Sequence, residues 1–248
     1  VALRALAEGR IFAEVTGDGR PRALALHGWA RRGSDFGRVL EGLDAIALDL
    51  PGFGASPAPA EVIGAAGYAE MIAPILDEFD APPAVLGHSF GGRVAVCLAA
   101  NAPTEVGPLV LTGVPLIRSN RPATPAAGYR LLKKLNRFGL ISDERLEAEK
   151  RRRGSSDYRA ATGIMRDILV KVVNESYENE LSSLQGPVRL VWGADDGEAP
   201  VEVAKAAAAI LEASGALAGF SVLDGIGHMT PLEAPDTLRE VLLDAMRT

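Results

Sequence analysis

The sequence predicts an α/β protein, a mostly parallel sheet covered by helices on both faces. Short runs rich in Val, Leu, Ile and Ala recur along the chain, helix-like segments separate them, and Gly or Pro brackets most of them. Continuously apolar short runs suit strands buried on both faces, and their length together with the flanking Gly and Pro distinguishes them from buried helices. The strand candidates are residues 11–15, 23–26, 45–48, 84–86, 109–111, 188–191 and 220–223. The first two, split by Thr16-Gly17-Asp18-Gly19, predict an antiparallel hairpin at one sheet edge. Helices are expected over 34–43, 68–79, 91–100, 201–212 and 234–247, the last with Pro235 in its first turn, where a missing N–H costs nothing.

Residues 116–184 break this rhythm, being rich in Arg, Lys and Glu and without strand-like runs. They predict a helical insertion, with helices over 126–138, 143–153 and 164–174 punctuated by Gly139, Gly154 and Gly163. The expected division is a core of 1–115 and 185–248 and an inserted unit of 116–184. Glu144, Glu147 and Glu149 precede the basic run 150–153 at one-turn spacings, which predicts a solvated helix face and not an anion patch.

Composition narrows the function. The chain has 248 residues, 48% hydrophobic and 23% charged, enough for a substantial core. A formal net charge of −6 leaves no excess of positive charge to neutralise phosphates, so nucleic acid is not an expected partner. No apolar run approaches the roughly 20 residues that span a bilayer, and residues 1–15 lack the pattern of a secretory leader. No membrane association and a cytoplasmic protein are the expectation. Cys97 is the lone cysteine, so no internal disulfide or Cys-rich zinc site is expected, and its apolar surroundings predict a small buried hydrophobe.

Chemistry concentrates in Gly87-His88-Ser89-Phe90-Gly91, between the strand candidate 84–86 and a helix. A serine at the tip of a sharp strand-to-helix turn needs near-absent side chains two residues before and after it, which Gly87 and Gly91 provide. A serine hydroxyl is a poor nucleophile at neutral pH and needs a base within hydrogen-bond reach. Of three histidines, His27 closes the strand candidate 23–26 and His88 sits beside the serine, so each has a local structural explanation. His228 lies in the loop after the last strand candidate. An orienting acid is expected at the end of 188–191, where Asp195 and Asp196 stand side by side and spacing alone leaves both open.

His27-Gly28-Trp29, the segment from Asp49 to Ser56, the segment from Trp192 to Pro200, and Gly227-His228 with Pro231-Leu232-Glu233-Ala234-Pro235 together resemble the motifs of the α/β-hydrolase superfamily. The resemblance runs through the whole chain and is weak only in the insertion. It implies the order nucleophile, acid, histidine, which assigns Ser89, an aspartate of the pair and His228. In the family's acid loop the aspartate comes three residues after Gly and four before Pro, and that register selects Asp196. The resemblance also implies backbone N–H groups of Trp29 and Phe90 as the oxyanion hole, and a helical cap at 116–184.

The expected reaction is hydrolysis of a carboxylic ester or related small acyl compound through an acyl-enzyme, with no metal or organic cofactor. Superfamily members that open epoxides or remove halides carry aspartate at the elbow, where this chain has Ser89. Two alternatives stay open: a lyase or carbon–carbon bond hydrolase acting on an anionic substrate, and a binding protein with a vestigial triad. The first hangs on Gly91-Gly92-Arg93, which is similar to a pattern in lyases of menaquinone biosynthesis, although an arginine at this place more often covers apolar surface. The partner is expected to be a small molecule; acyl group, leaving group and oligomeric state are not specified by the sequence.

Overall fold

The computed structural model describes residues 2–118, 142 and 156–247. Strands β1 (Ala2–Leu6), β2 (Ile11–Thr16), β3 (Ala23–Leu26), β4 (Ala45–Asp49), β5 (Ala84–His88), β6 (Leu109–Thr112), β7 (Val188–Gly193) and β8 (Leu217–Leu223) form one sheet in the order β1-β2-β4-β3-β5-β6-β7-β8. The pairs β1/β2 and β2/β4 are antiparallel and the remaining pairs parallel.

Alternation along the central strands gives the sheet two different faces. Leu24, Leu26, Ile46, Leu48, Val85, Leu109 and Leu111 point into one core, and Ala23, Ala25, Ala45, Ala47, Ala84, Leu86 and Val110 into the other. On the second face, alanines let Phe36, Leu238 and Leu242 pack closely.

The predicted hairpin between 11–15 and 23–26 does not form. β2 turns back on β1, a strand whose exposed, mixed sequence Ala-Leu-Arg-Ala-Leu carries no clear pattern. Its other neighbour is β4, and β3 lies between β4 and β5. The reason is burial: all four residues of β3 are inaccessible, so it needs a strand on each side, whereas half-buried β2 tolerates a place near the edge. Gly17 and Gly19 pack on Asp44, whose carboxylate accepts the Gly19 N–H at 2.8 Å, so the glycines anchor the chain to the β4 entrance without closing a tight turn.

Helices α1 (Ala65–Ile72), α2 (Phe90–Asn101), α3 (Ser156–Ala160), α4 (Gly163–Val172), α5 (Glu178–Ser183), α6 (Val201–Ser214), α7 (Thr230–Glu233) and α8 (Pro235–Ala245) follow along the described chain. The segment expected to be helical over 34–43 is a short 3-10 turn, Gly33–Phe36, followed by turns that include Gly42 at φ +69°. The segment expected over 68–79 is α1 followed by a 3-10 stretch, Ala73–Glu78, where Pro74 supplies no N–H to continue the α-helix. α6 ends on Gly215 in the left-handed conformation.

Of the insertion, the described stretch 156–184 carries the three helices α3, α4 and α5 and no strand. The helix expected over 164–174 corresponds to α4; those over 126–138 and 143–153 lie outside the described residues. Because β3 to β8 run in parallel, the segments after β3, β5, β7 and β8 converge at one edge of the sheet, the usual site of function in such folds.

Candidate active site

β5 ends at His88 and α2 begins at Phe90, so Ser89 is a single-residue junction. Its φ of +50° and ψ of −116° lie where a side chain is strained, at a cost of about 1–3 kcal/mol. The surroundings hold it there: the Ser89 N–H donates to the Thr112 carbonyl at 3.0 Å, and the Gly92 N–H to the Ser89 carbonyl at 3.1 Å. Two glycines are obligatory. A Cβ on Gly87 would stand 2.5 Å from the Gly92 Cα, and one on Gly91 would overlap the Leu26 carbonyl. Any side chain at either place would push α2 off the sheet.

The Ser89 Oγ lies 3.1 Å from His228 Nε2, and His228 Nδ1 lies 2.9 and 3.0 Å from the two carboxylate oxygens of Asp196. A carboxylate accepts only, so Nδ1 carries the proton and Nε2 turns its lone pair to the serine. Asp196 is buried, and its Oδ1 also accepts the N–H groups of Glu198 at 2.9 Å and Ala199 at 2.8 Å. Asp195 is exposed and its N–H donates to the Ile226 carbonyl at 2.9 Å. The structure therefore brings Asp196, and not Asp195, to the histidine.

Burial alone opposes charge on both partners. For Asp196 burial raises the pKa, but the bonds from His228 and from the Ala199 and Glu198 amides outweigh it and hold the carboxyl below its ordinary value. For His228 burial lowers the pKa, but the Asp196 hydrogen bond and charge, with Glu198 and Asp157 adding the same sign, raise it above 6.5.

The segment after β3 approaches the serine directly. A Cβ on Gly28 would stand 3.2 Å from the Ser89 Cβ and 3.0 Å from His88 Nδ1. His27 fixes this segment, donating from Nδ1 to the Gly28 carbonyl at 2.7 Å and accepting the Leu50 N–H on Nε2 at 2.9 Å. Trp29 follows Gly28, and the Phe90 amide opens α2, where no helical carbonyl precedes it and the helix dipole favours negative charge. The Phe90 ring is buried, 5.3 Å from the Trp29 ring and 4.9 Å from Tyr68, so its side chain serves packing. A cavity of about 230 Å³ opens beside Trp29 and Phe53, lined also by Asp157 and Met165.

Arg93 does not face this site. It is 8% exposed, donates from Nη1 to the Val172 carbonyl at the end of α4 at 2.6 Å, and stands over the Tyr177 ring at 5.9 Å. Tyr177 in turn donates to Glu175, whose carboxylate accepts the Ala65 N–H at the start of α1. Arg93 thus joins α2 to the C-terminal part of the insertion. Its replacement by leucine leaves the Val172 carbonyl without this donor and is expected to lower stability by about 1–3 kcal/mol, read by denaturant unfolding.

Three contributors to the site escape a sequence reading. His88 Nε2 donates to the His228 carbonyl at 2.9 Å, and burial, then the neighbouring His228, pushes its pKa down to about 4, so it holds the loop as a neutral donor. Glu233 accepts the N–H groups of Gly227 at 2.6 Å and Met229 at 3.0 Å, bracketing His228. The Glu198 carboxylate lies 3.5 Å from His228 Nε2. Their positions sit inside motifs quoted above, but nothing in residue type or spacing announces these contacts. Cys97 is buried, and its thiol is pushed up to about 12 by burial, as suits a packing residue. Among the described residues no three or more His, Cys, Asp or Glu side chains group as a candidate metal centre, and no helix is long and apolar enough to cross a membrane.

A parallel sheet with a strained serine after β5, an acid after β7 and a histidine after β8 is the architecture of an α/β hydrolase. The sequence model of the alpha/beta hydrolase family matches residues 23–241, and the chain belongs to that family. It is similar to a 2-hydroxy-6-oxononadienedioate/2-hydroxy-6-oxononatrienedioate hydrolase of Paraburkholderia phymatum, 27% identical over 96% of this chain and 91% of that protein. In fold it is similar to a serine hydrolase involved in carbazole degradation, with a TM-score of 0.72, 21% identity, and 99% of this chain and 98% of that chain covered. An esterase of Mycobacterium tuberculosis is similar at a TM-score of 0.67, with 22% identity over 100% of this chain and 91% of that one. The protein is an enzyme of the hydrolase class.

Proposed function

We propose that the protein cleaves a carboxylic ester or related small acyl substrate by nucleophilic catalysis at Ser89. The observation that carries this is the unbroken chain of contacts from the Ser89 hydroxyl through His228 to buried Asp196. In the first step Ser89 Oγ bonds to the acyl carbon while its proton passes to His228 Nε2. Asp196 keeps the imidazole in the tautomer that can accept and stabilises the imidazolium. The backbone N–H groups of Phe90 and Trp29 are the proposed donors to the oxyanion, each typically worth about 2.7–4 kcal/mol in the transition state. Collapse breaks the bond to the leaving oxygen, which takes the proton from Nε2. Water, deprotonated by the same nitrogen, then releases the acid and restores Ser89. The insertion acts in this reading as a cap, its described residues Asp157 and Met165 lining the cavity beside Trp29 and Phe53.

The second reading, carbon–carbon bond hydrolysis of an anionic substrate, is favoured by the likeness to the Paraburkholderia hydrolase. Its sequence support at Arg93 is gone, because that guanidinium is engaged by Val172 and Tyr177. A panel of para-nitrophenyl esters of increasing chain length, run beside a vinylogous 2-hydroxy-6-oxo dienoate, decides between them. Turnover of the dienoate with inert esters would overturn the ester reading.

The raised pKa of His228 fixes the shape of the pH profile. The working base is neutral His228, so kcat/KM falls as pH drops through its pKa, and the half-maximal point of the acid limb is expected above 6.5. In Asp196→Asn the favourable charge is absent and the remaining activity is expected to reach half-maximum at lower pH. Stopped-flow acylation rates between pH 5 and 9 test both statements.

A further inference from the structure

We propose that Glu198 sets the charge preference for the leaving group, favouring neutral and cationic alcohols over anionic ones. The inference rests on the serine-hydrolase reading and adds a substrate class to it. The Glu198 carboxylate stands 3.5 Å from His228 Nε2, the nitrogen whose other neighbour is the Ser89 hydroxyl at 3.1 Å. With a lone pair on Nε2 the carboxylate is no hydrogen-bond partner of the ring, so it faces the space in front of the nitrogen without closing it. The departing oxygen must enter that same space, within about 3 Å of Nε2, to receive its proton. The departing oxygen is therefore at most about 6.5 Å from the carboxylate, the sum of the two spacings, and charge carried a few bonds beyond that oxygen lies within reach of the carboxylate's field.

The placement of Glu198 is built in. Its N–H is bound to Asp196 at 2.9 Å, the following Ala199 N–H is bound to the same oxygen at 2.8 Å, and the Ala199 carbonyl accepts the Trp192 indole at 2.7 Å. The loop that positions the orienting acid thus fixes the Cα of Glu198 beside the base. Asp157 on α3 adds charge of the same sign: it acts on His228 and lines the cavity beside Trp29, Phe53 and Met165. The Glu198 side chain is 70% exposed, so its field is partly screened, and the effect on any one charged substrate is about three- to tenfold.

The test uses three esters of the acyl group the enzyme prefers, with choline, its uncharged isostere 3,3-dimethylbutanol, and an alcohol bearing a carboxylate in the same place. The ratio of kcat/KM for the cationic over the anionic ester is compared in the parent and in Glu198→Gln, which keeps the backbone bonds and the side-chain shape. The parent ratio is expected to be about tenfold or more. It should fall severalfold in Glu198→Gln, and fall likewise in the parent at about 1 M salt, where the screening length is about 3 Å. An unchanged ratio in the variant, or an equal change for all three esters, overturns the proposal. If the parent hydrolyses none of the esters, the same ratio is read from inactivation rates with phosphonate esters of the three alcohols. No inactivation, with Ser89 unlabelled by a fluorophosphonate, overturns the serine-hydrolase reading and this inference with it; labelled Ser89 without charge preference overturns only the inference.

Discussion

Ser89→Ala is expected to abolish turnover, by about 10⁴-fold or more, and to abolish fluorophosphonate labelling while the protein stays folded. The proposed nucleophile is one oxygen, and the proposed acyl-enzyme step does not exist without it. The fold should survive because the turn is held by groups that the substitution leaves in place: the Ser89 N–H to the Thr112 carbonyl and the close approach of Gly87 and Gly91 to backbone. Alanine at φ +50° carries the same Cβ strain as serine, so the unfolding midpoint should move little. Mass mapping of the labelled parent should find the adduct on Ser89 alone. Labelling of another serine, or full turnover by the alanine variant, would refute the nucleophile.

Asp196→Asn is the second large effect. An amide can offer its N–H to His228 Nδ1 and so stabilises the tautomer in which Nε2 carries the proton and cannot accept one from Ser89. In a serine protease that change costs about 10⁴ in kcat, and a loss of that order is expected here in single-turnover acylation. Asp195→Asn should change the rate by no more than a few-fold, because Asp195 is exposed and engaged through its backbone. The two variants differ by one residue of register, so the comparison tests the assignment itself. A larger loss in Asp195→Asn would refute the assignment of Asp196 and the family register that selected it.

The serine turn was legible because its requirements are local. A strand, a residue with positive φ and a helix must follow one another within a few residues, and glycine is needed wherever backbone meets backbone, as at Gly87 and Gly91. The acid was half legible: that an aspartate follows β7 was clear, but which of two adjacent aspartates turns inward needed the family register. In the structure Asp196 is buried against His228 and Asp195 is exposed. Arg93 was ambiguous because a helix position specifies a direction and not a partner. Val172 lies 79 residues away and meets it only when the insertion packs on α2.

By itself the sequence determined the alternation of strands and helices and the glycine-flanked serine turn, since each depends on contacts within one turn or one strand, whereas the order of serine, acid and histidine came from the family resemblance. Only the tertiary structure decided strand order, where fully buried β3 displaced β2 from the expected hairpin. It also decided the contacts His88 and Glu233 make with the histidine loop, and the nearness of the Glu198 carboxylate to Nε2. Loops after β5, β7 and β8 meet there because parallel strands deliver them to one edge of the sheet, and distances across that edge are set by packing, which leaves no periodic trace in the chain.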